Sequence, residues 1–178
     1  MMASLLKLRG LLLITLMGSF LYACEAKVSV SGGTEVKTTA ETPAAGTSAK
    51  APSEEAAKYY NSGVEKAKAG DSQGAIADYK EAIRISPDFA FAYGNSGAEK
   101  AKLKDYKGAI ADLNEAIRLT PEDGGPYYTR GLAKAQSDDL QGAKADLEKA
   151  AELFKKSGET EKASAATAVI EKIEKLPK

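Results

Sequence analysis

Small and apolar residues follow a helical pattern from residue 56 onward, and the pattern itself recurs every 34 residues. Residues 56–89 and 90–123 are identical at 20 of 34 positions without a gap, and residues 124–157 continue the pattern more loosely. Within each copy the apolar positions lie three or four residues apart, which is typical of amphipathic helices. The pattern therefore predicts three copies of one helical unit.

Four positions of the unit hold the same residue type in all three copies, and each has a packing reason. A tyrosine supplies apolar surface near the start of a first helix, and a glycine in its middle lets a neighbouring helix approach closely. Two alanines lie seven residues apart on one face of a second helix, where they predict a narrow seam. The positions are Tyr59, Tyr93 and Tyr127; Gly63, Gly97 and Gly131; Ala75, Ala109 and Ala143; and Ala82, Ala116 and Ala150.

Turn signals divide each unit into two antiparallel helices. Asp71, Asp105 and Asp139 recur where the first helix must end, and an aspartate there can cap the next helix. Pro87 and Pro121 follow the second helix of the first two units and prevent its continuation.

This pattern resembles the tetratricopeptide repeat, and the resemblance covers residues 56–157. It implies an all-α fold, a right-handed α-solenoid of three helix pairs over residues 54–157. Lys155 replaces the proline expected in the third unit, so its second helix is predicted to continue to about Lys156, before Gly158.

Two further positions are charged in every unit. The tyrosine that the family usually has late in the first helix is replaced by lysine, so we expect this position to face solvent. An aspartate of the second helix lies near Lys or Arg at helical spacing, as in surface ion pairs, and nothing marks these aspartates as catalytic. The residues are Lys66, Lys100 and Lys134, and Asp78, Asp112 and Asp146.

Residues 158–178 are predicted to form a C-terminal capping helix. A stack of helix pairs needs a cover for its last apolar face, and the apolar residues here recur at three- and four-residue spacing. A helix that binds a partner, or a weak contact of its lysines with anionic lipid, are the alternatives. The apolar residues are Ala163, Ala166, Val169, Ile170, Ile173 and Leu176.

The N-terminus has the pattern of a signal peptide over residues 1–23. Lys7 and Arg9 precede an apolar run of 11 residues, residues 11–21, which is shorter than the roughly 20 residues of a membrane-spanning helix. The run ends in Leu-Tyr-Ala-Cys, which resembles the lipobox of bacterial lipoproteins and implies that Cys24 carries lipid.

The lipobox resemblance implies a protein anchored to a membrane of the cell envelope and facing the periplasm or the exterior. Tyr22 is bulky where the family has a small residue, so cleavage nearby or an uncleaved anchor are alternatives. Residues 24–53 are rich in Ser, Thr, Ala, Gly and Pro and predict a disordered tether with a reach of about 30 Å. Which membrane holds the protein stays open.

Composition excludes several classes of site. The 178 residues contain no histidine and one cysteine, so His-dependent triads, His-ligated metals and Cys-rich zinc sites are excluded. Lys and Arg number 25, as do Asp and Glu, so the chain has no basic footprint for nucleic acid. We predict no catalytic residue, no metal and no cofactor, and therefore not an enzyme.

The family resemblance places a binding surface on the concave face, which the first helices line. Aromatic and aliphatic groups beside amides suit an extended or helical peptide, and exposed aromatic residues are frequent binding anchors. We expect Tyr60, Phe91 and Tyr128 to be exposed there. The positions transferred in register are Tyr60, Asn61, Val64 and Lys68; Phe91, Asn95, Ala98 and Lys102; and Tyr128, Thr129, Leu132 and Gln136.

Chaperone-binding relatives clamp a C-terminal carboxylate with basic residues and asparagines. Here Tyr60, Val64, Gly125 and Thr129 stand where the clamp has Lys, Asn, Lys and Arg, and only Asn95 matches. The sequence thus predicts a membrane-tethered adaptor or scaffold for another kind of protein or peptide. A structural or self-associating homo-oligomeric envelope protein is the alternative.

Overall fold

The computed structural model describes residues 51–176, which form seven α-helices and no strand. Residues 1–50, including the predicted signal peptide, Cys24 and nearly all of the predicted tether, lie outside the described residues. The helices are α1 (Glu54–Lys68), α2 (Ser72–Ile85), α3 (Ala90–Lys102), α4 (Tyr106–Leu119), α5 (Gly124–Gln136), α6 (Leu140–Lys156) and α7 (Thr160–Glu174).

The helices form three antiparallel pairs followed by a single helix. Each helix packs against the helix before it and the helix after it, and the first helices α1, α3 and α5 also contact one another in that order. No contact of comparable extent joins the second helices of successive pairs among the described residues. The first helices therefore lie on the inner side of the stack. The all-α solenoid of helix pairs is confirmed.

The close seam between paired helices is also confirmed. Ala109 and Ala116 of α4 are fully buried, as are the matching alanines of α2 and α6. A Cβ atom built on Gly97 would lie 2.7 Å from Cγ of Leu113 and 3.1 Å from the carbonyl oxygen of Ala109. A side chain at that glycine would therefore separate α3 from α4.

Aspartate caps begin the second helices, as predicted. An Oδ1 atom of Asp71, Asp105 or Asp139 accepts a hydrogen bond of 2.9 Å from the backbone N–H three residues later. The first two second helices end at Ile85 and Leu119, two residues before a proline, whereas α6 continues to Lys156. The longer second helix of the third pair is thus confirmed.

The charged positions of each unit correct the prediction of solvent-facing lysines and surface aspartates. In every pair, the aspartate of the second helix binds the lysine of the first helix, at N–O distances of 2.6 to 2.8 Å. The side chains of Lys100 and Lys134 are only 15% and 21% exposed. The partners lie 12 residues apart in sequence, so they link two helices of one pair and are not neighbours on one helix.

A second polar residue of the first helix completes each of these links. Ser62 donates to Asp78 and Ser96 donates to Asp112, both at 2.6 Å. In the third pair Arg130 takes this position and donates to both carboxylate oxygens of Asp146, at 2.6 and 2.8 Å. At this position, the two helices of every pair are therefore joined by polar contacts instead of apolar packing.

Helix α7 covers the last pair, as predicted. Ala163, Ala166, Val169 and Ile173 are buried in one cluster with residues of α5 and α6. The apolar stripe is therefore used within the chain, which leaves the alternative of a partner-binding stripe without support. Within residues 51–176 no helix combines the length and the apolar character needed to cross a membrane.

Candidate functional site

The candidate site is the inner surface formed by α1, α3 and α5. Successive residues of an α-helix are rotated by about 100° around its axis. Gly63 faces α2, so Asn61 lies roughly opposite that contact and Val64 lies about 100° away from it. The matching residues of α3 and α5 share this orientation because the units share one register. One continuous surface across three helices results.

The structure brings six of the eight predicted binding residues to this surface. Phe91 is 40% exposed, whereas the other five are half-buried. Their role in binding stays a prediction. The six are Asn61, Val64, Phe91, Asn95, Thr129 and Leu132.

Tyr60 departs from the expected exposure, since its side chain is fully buried. Its ring lies between Tyr79 and Phe89, with centroid distances of 5.8 and 4.8 Å. Tyr60 precedes Asn61 by one residue, and the rotation of about 100° places it at the edge of the inner surface, on the side nearest the second helix. Tyr60 is a core residue of the first pair.

Tyr128 is also buried, with 9% of its surface exposed. Its ring lies 6.4 Å from that of Phe154, and burial raises the pKa of its hydroxyl group. The expectation that Tyr60 and Tyr128 are exposed aromatic anchors is therefore wrong. Phe91 is the exposed aromatic residue among the three.

Two hydrogen bonds fix polar side chains of the surface. The Asn95 Nδ2 group donates to the Tyr60 hydroxyl oxygen at 3.0 Å and so joins the second unit to the first. The Thr129 hydroxyl group donates to the Gly125 carbonyl oxygen at 3.1 Å, within its own helix. Asn95 thus presents an oriented amide, whereas Thr129 satisfies its hydroxyl donor locally.

The apolar members of the surface also contribute to the core. Val64 packs against the cluster that contains Tyr60, and Leu132 packs against the cluster that contains Tyr128. Both are half-buried, so part of each side chain stays accessible. The row of Val64, Ala98 and Leu132 forms an apolar stripe across the three helices.

Lysines at the C-terminal ends of α1 and α3 are paired with glutamates of the same helix. Lys102 Nζ lies 2.6 Å from Glu99 Oε1, and the Glu99 side chain is 5% exposed. Lys68 Nζ lies 3.6 Å from the exposed Glu65. The first of these pairs is tight and the second is loose.

Sequence reasoning missed Gly94, which stands where the first and third units have Tyr60 and Tyr128. A Cβ atom built on Gly94 would meet no atom within 4 Å, so open space lies beside this residue. The signal was visible in the aligned units as a loss of the aromatic residue in the middle copy. Its meaning required knowing that the two tyrosines are buried.

No group of three or more His, Cys, Asp or Glu residues that would suit a metal ion occurs in residues 51–176. Every aspartate of the inter-helix links is held by a lysine and by a serine or an arginine of its own pair. The contacts between the two helices of each pair therefore account for these aspartates.

A family model described as the tetratricopeptide repeat matches residues 55–89, 92–123 and 125–157, which together make up more than half of the chain. The chain belongs to the tetratricopeptide repeat (TPR) family. No curated protein matches the chain.

Solved TPR structures are similar to this chain over most of its described length. The TPR2B domain of yeast Sti1 in complex with pHsp70 has 26% sequence identity and a TM-score of 0.68, and the match covers 70% of this chain and 100% of that domain. The first TPR of Spaghetti (RPAP3), bound to the HSP90 peptide SRMEEVD, has 28% identity and a TM-score of 0.55, covering 64% and 94%.

A bacterial structure shares the fold. The type III secretion translocator chaperone SycD of Yersinia enterocolitica has 17% identity and a TM-score of 0.65, covering 68% of this chain and 93% of that chain. The Sti1 and Spaghetti structures show that this TPR domain resembles peptide-binding adaptors, among them ones whose structures contain chaperone peptides.

Proposed function

We propose that this protein is a membrane-tethered TPR adaptor that binds a protein or peptide partner on the inner surface of α1, α3 and α5. The observation that carries the proposal is the surface itself: three first helices in one register, with Phe91 40% exposed in the first turn of the middle one. Large exposed aromatic residues on a rigid helical surface are frequent anchors of protein interfaces. TPR neighbours that hold peptides support the same role.

The proposed partner differs from the HSP90 peptide SRMEEVD, which is bound in one of these neighbours. Tyr60 is buried, and Gly125 and Thr129 carry no charge, so these positions present no basic group to a carboxylate. Asn95 already donates one amide hydrogen bond to Tyr60. The proposed partner is therefore not recognised by a free C-terminal carboxylate.

The proposed anchor is lipid on Cys24, at the cell envelope. The support is the sequence pattern of residues 21–24 behind a short apolar run, followed by a tether of about 30 residues before α1. The tether would let the TPR domain meet a partner some distance from the membrane.

The test of binding uses the full chain as bait in envelope extracts. Phe91→Ala removes the exposed ring and should reduce capture of a specific partner by about 10-fold or more if Phe91 is an anchor. Lys80→Ala, on the exposed side of α2, is the control and should have little effect. Equal capture by both variants would refute the inner surface as the binding site.

The test of anchoring replaces Cys24 by Ser. The variant should move from the membrane fraction to the soluble periplasmic fraction or accumulate as precursor, because the acceptor for lipid is lost. Mass spectrometry of the N-terminal peptide reports the modification directly. Unchanged fractionation together with an unmodified Cys24 in the wild-type protein would contradict the lipoprotein assignment.

A further inference from the structure

The middle repeat lacks a side chain that the two flanking repeats share. Tyr60 and Tyr128 occupy the same register position in α1 and α5, and both rings are buried against neighbouring aromatic residues. Gly94 occupies this position in α3, and a Cβ atom there would contact nothing within 4 Å. The place that a tyrosine ring fills in the flanking repeats is therefore open on α3, the middle helix of the inner surface. We call this open place beside Gly94 the gap.

The gap has an apolar border on its own helix. Phe91 lies three residues before Gly94, so both are on one side of α3. Phe91 keeps 40% of its surface exposed, which is unusual for a phenylalanine in the middle of a stack of helices. A bulky apolar group placed over Gly94 would contact the Phe91 ring and shield it from water.

A hydrogen-bond acceptor lies beside the gap. Asn95 follows Gly94, and its Nδ2 group is held by the Tyr60 hydroxyl oxygen at 3.0 Å. The bond orients the amide, and its Oδ1 atom accepts no hydrogen bond from residues 51–176. A half-buried carbonyl oxygen that accepts from no donor of residues 51–176 is suited to a backbone N–H of a bound segment.

The charges near this surface do not favour an acidic ligand. Lys102 is paired with the buried Glu99 at 2.6 Å, and the other carboxylate oxygen of Glu99 accepts a 2.6 Å bond from Ser72. Asp123, which stands where the first unit has Phe89, accepts a 2.8 Å bond from the backbone N–H of Gly125. The Asp123 carboxylate disfavours an acidic ligand, and Glu99 already neutralises Lys102, so these charges favour a ligand segment without acidic groups.

We propose that the gap at Gly94 receives one bulky apolar side chain, aromatic in preference, from an uncharged extended segment of a partner protein. The inserted side chain takes the place that Tyr60 and Tyr128 fill in the flanking repeats. The segment's backbone donates an N–H to Asn95 Oδ1, and no chain end is required. This inference rests on the proposed function, because it names the chemistry of the partner at the same inner surface.

The test begins with random dodecapeptides displayed on phage, fused so that their C-termini are not free, and selected on the full chain. The enriched peptides should contain a Phe, Tyr, Trp or Leu and few acidic residues. One of them, synthesised with acetylated and amidated ends, should bind with an affinity that changes by less than about 2-fold between low and high salt. The peptide SRMEEVD should bind at least about 10-fold more weakly.

Filling the gap is the decisive variant. Gly94→Tyr gives α3 the residue of the other two units, so the variant should fold and melt at or above the wild-type temperature while losing at least about 10-fold in peptide affinity. Ala111→Tyr adds the same side chain at an exposed position of α4 in the same pair and should leave the affinity unchanged. Gly94→Leu fills the space with a smaller group and serves as the second variant.

The outcomes separate this inference from the proposed function. If the selected peptides are acidic or salt-sensitive, or if both Gly94 variants bind normally while Phe91→Ala does not, the gap hypothesis is wrong and the inner surface stands. If neither Phe91→Ala nor the Gly94 variants weaken binding, or if no peptide is enriched, the proposed function fails as well.

Discussion

The first and third helix pairs share one register, but their exposed ends are closed by different means. At one position of the first helix, the first pair has Glu65 with a 69% exposed side chain, whereas the third pair has Ala133 with 1% exposure. The difference follows from the neighbours. Helix α4 packs on α5, but no helix precedes α1 among residues 51–176.

The opposite end of the stack is closed by a helix. Helix α7 buries Ala166 and Val169 completely against the third pair, and its outward side carries Glu161, Ser164 and Glu171. One end thus has an exposed glutamate at this position, and the other adds a helix that is apolar on one side only. Both solutions end the stacking of repeats in a surface compatible with water.

The polar link between the two helices of a pair is also more exposed in the first pair than in the third. In the first pair, Lys66 is 41% exposed and binds Asp78, which is 14% exposed. In the third pair, Lys134 and Asp146 are 21% and 8% exposed, and Arg130 adds a second cation. Arg130 also donates to the Asn114 Oδ1 atom of the preceding pair at 2.6 Å. A link covered by neighbours on both sides is drier, so its loss should cost more.

The largest effect is expected from exchanging the residue types at the matching positions 65 and 133. Ala133→Glu places a carboxylate where the structure has 1% exposure, and should lower the free energy of unfolding by about 3 kcal/mol or more. Glu65→Ala removes an exposed charge and should change it by less than about 0.5 kcal/mol. Urea unfolding followed by circular dichroism measures both. Similar changes in the two variants would show that the ends are not covered as described.

An intermediate effect is expected from neutralising the link aspartates. Asp146→Asn leaves Arg130 and Lys134 without their carboxylate and should cost about 2 kcal/mol, because this link is mostly buried. Asp78→Asn should cost less, since water replaces the lost carboxylate at Lys66 more easily.

The pH dependence of stability is a second test of how much these links stabilise the protein. Burial by itself raises the pKa of Asp146, but hydrogen bonds from Arg130 and Lys134 outweigh it and hold the pKa below its ordinary value of 3.8. The stabilisation from this carboxylate is therefore present above the unfolded-state pKa, and it is lost as pH falls through the lower folded-state pKa. Thermal melts of Asp146→Asn between pH 7 and 2 should show a weaker decline than wild type. A parallel decline would contradict a contribution from Asp146.

The smallest effect concerns the turns between paired helices. Gly70 in the first pair has φ +84°, and Asp138 in the third has φ 70° at the same position. Asp138→Gly should stabilise the protein by at most about 0.5 kcal/mol, since relief of the left-handed conformation is partly offset by the entropy of the unfolded chain. Gly70→Ala should destabilise it by about 1 kcal/mol. Melting temperatures that move in the opposite directions would refute this account of the turns.

The sequence alone determined the repeat, its division into helix pairs and the local signals that begin and end the second helices. The glycine and alanine seam, the aspartate caps and the prolines act within one pair or one turn, so their recurrence every 34 residues was sufficient to predict them. The extension of α6 to Lys156 and the cover by α7 followed from the missing proline and from the apolar spacing. Such features depend on near neighbours along the chain, which the sequence displays directly.

Only the tertiary structure decided what covers each position. Tyr60 and Phe91 both fitted the family's inner surface, yet Tyr60 is enclosed by Tyr79 and Phe89 while Phe91 stays 40% exposed beside Gly94. Asp146 fitted a surface ion pair on one helix, yet it binds Arg130 and Lys134 across two helices. The spacing of residues along a helix predicts the direction of a side chain to within about 100°, the rotation from one residue to the next. Whether that side chain is buried depends on where the neighbouring helices lie, and the spacing carries no information about their positions.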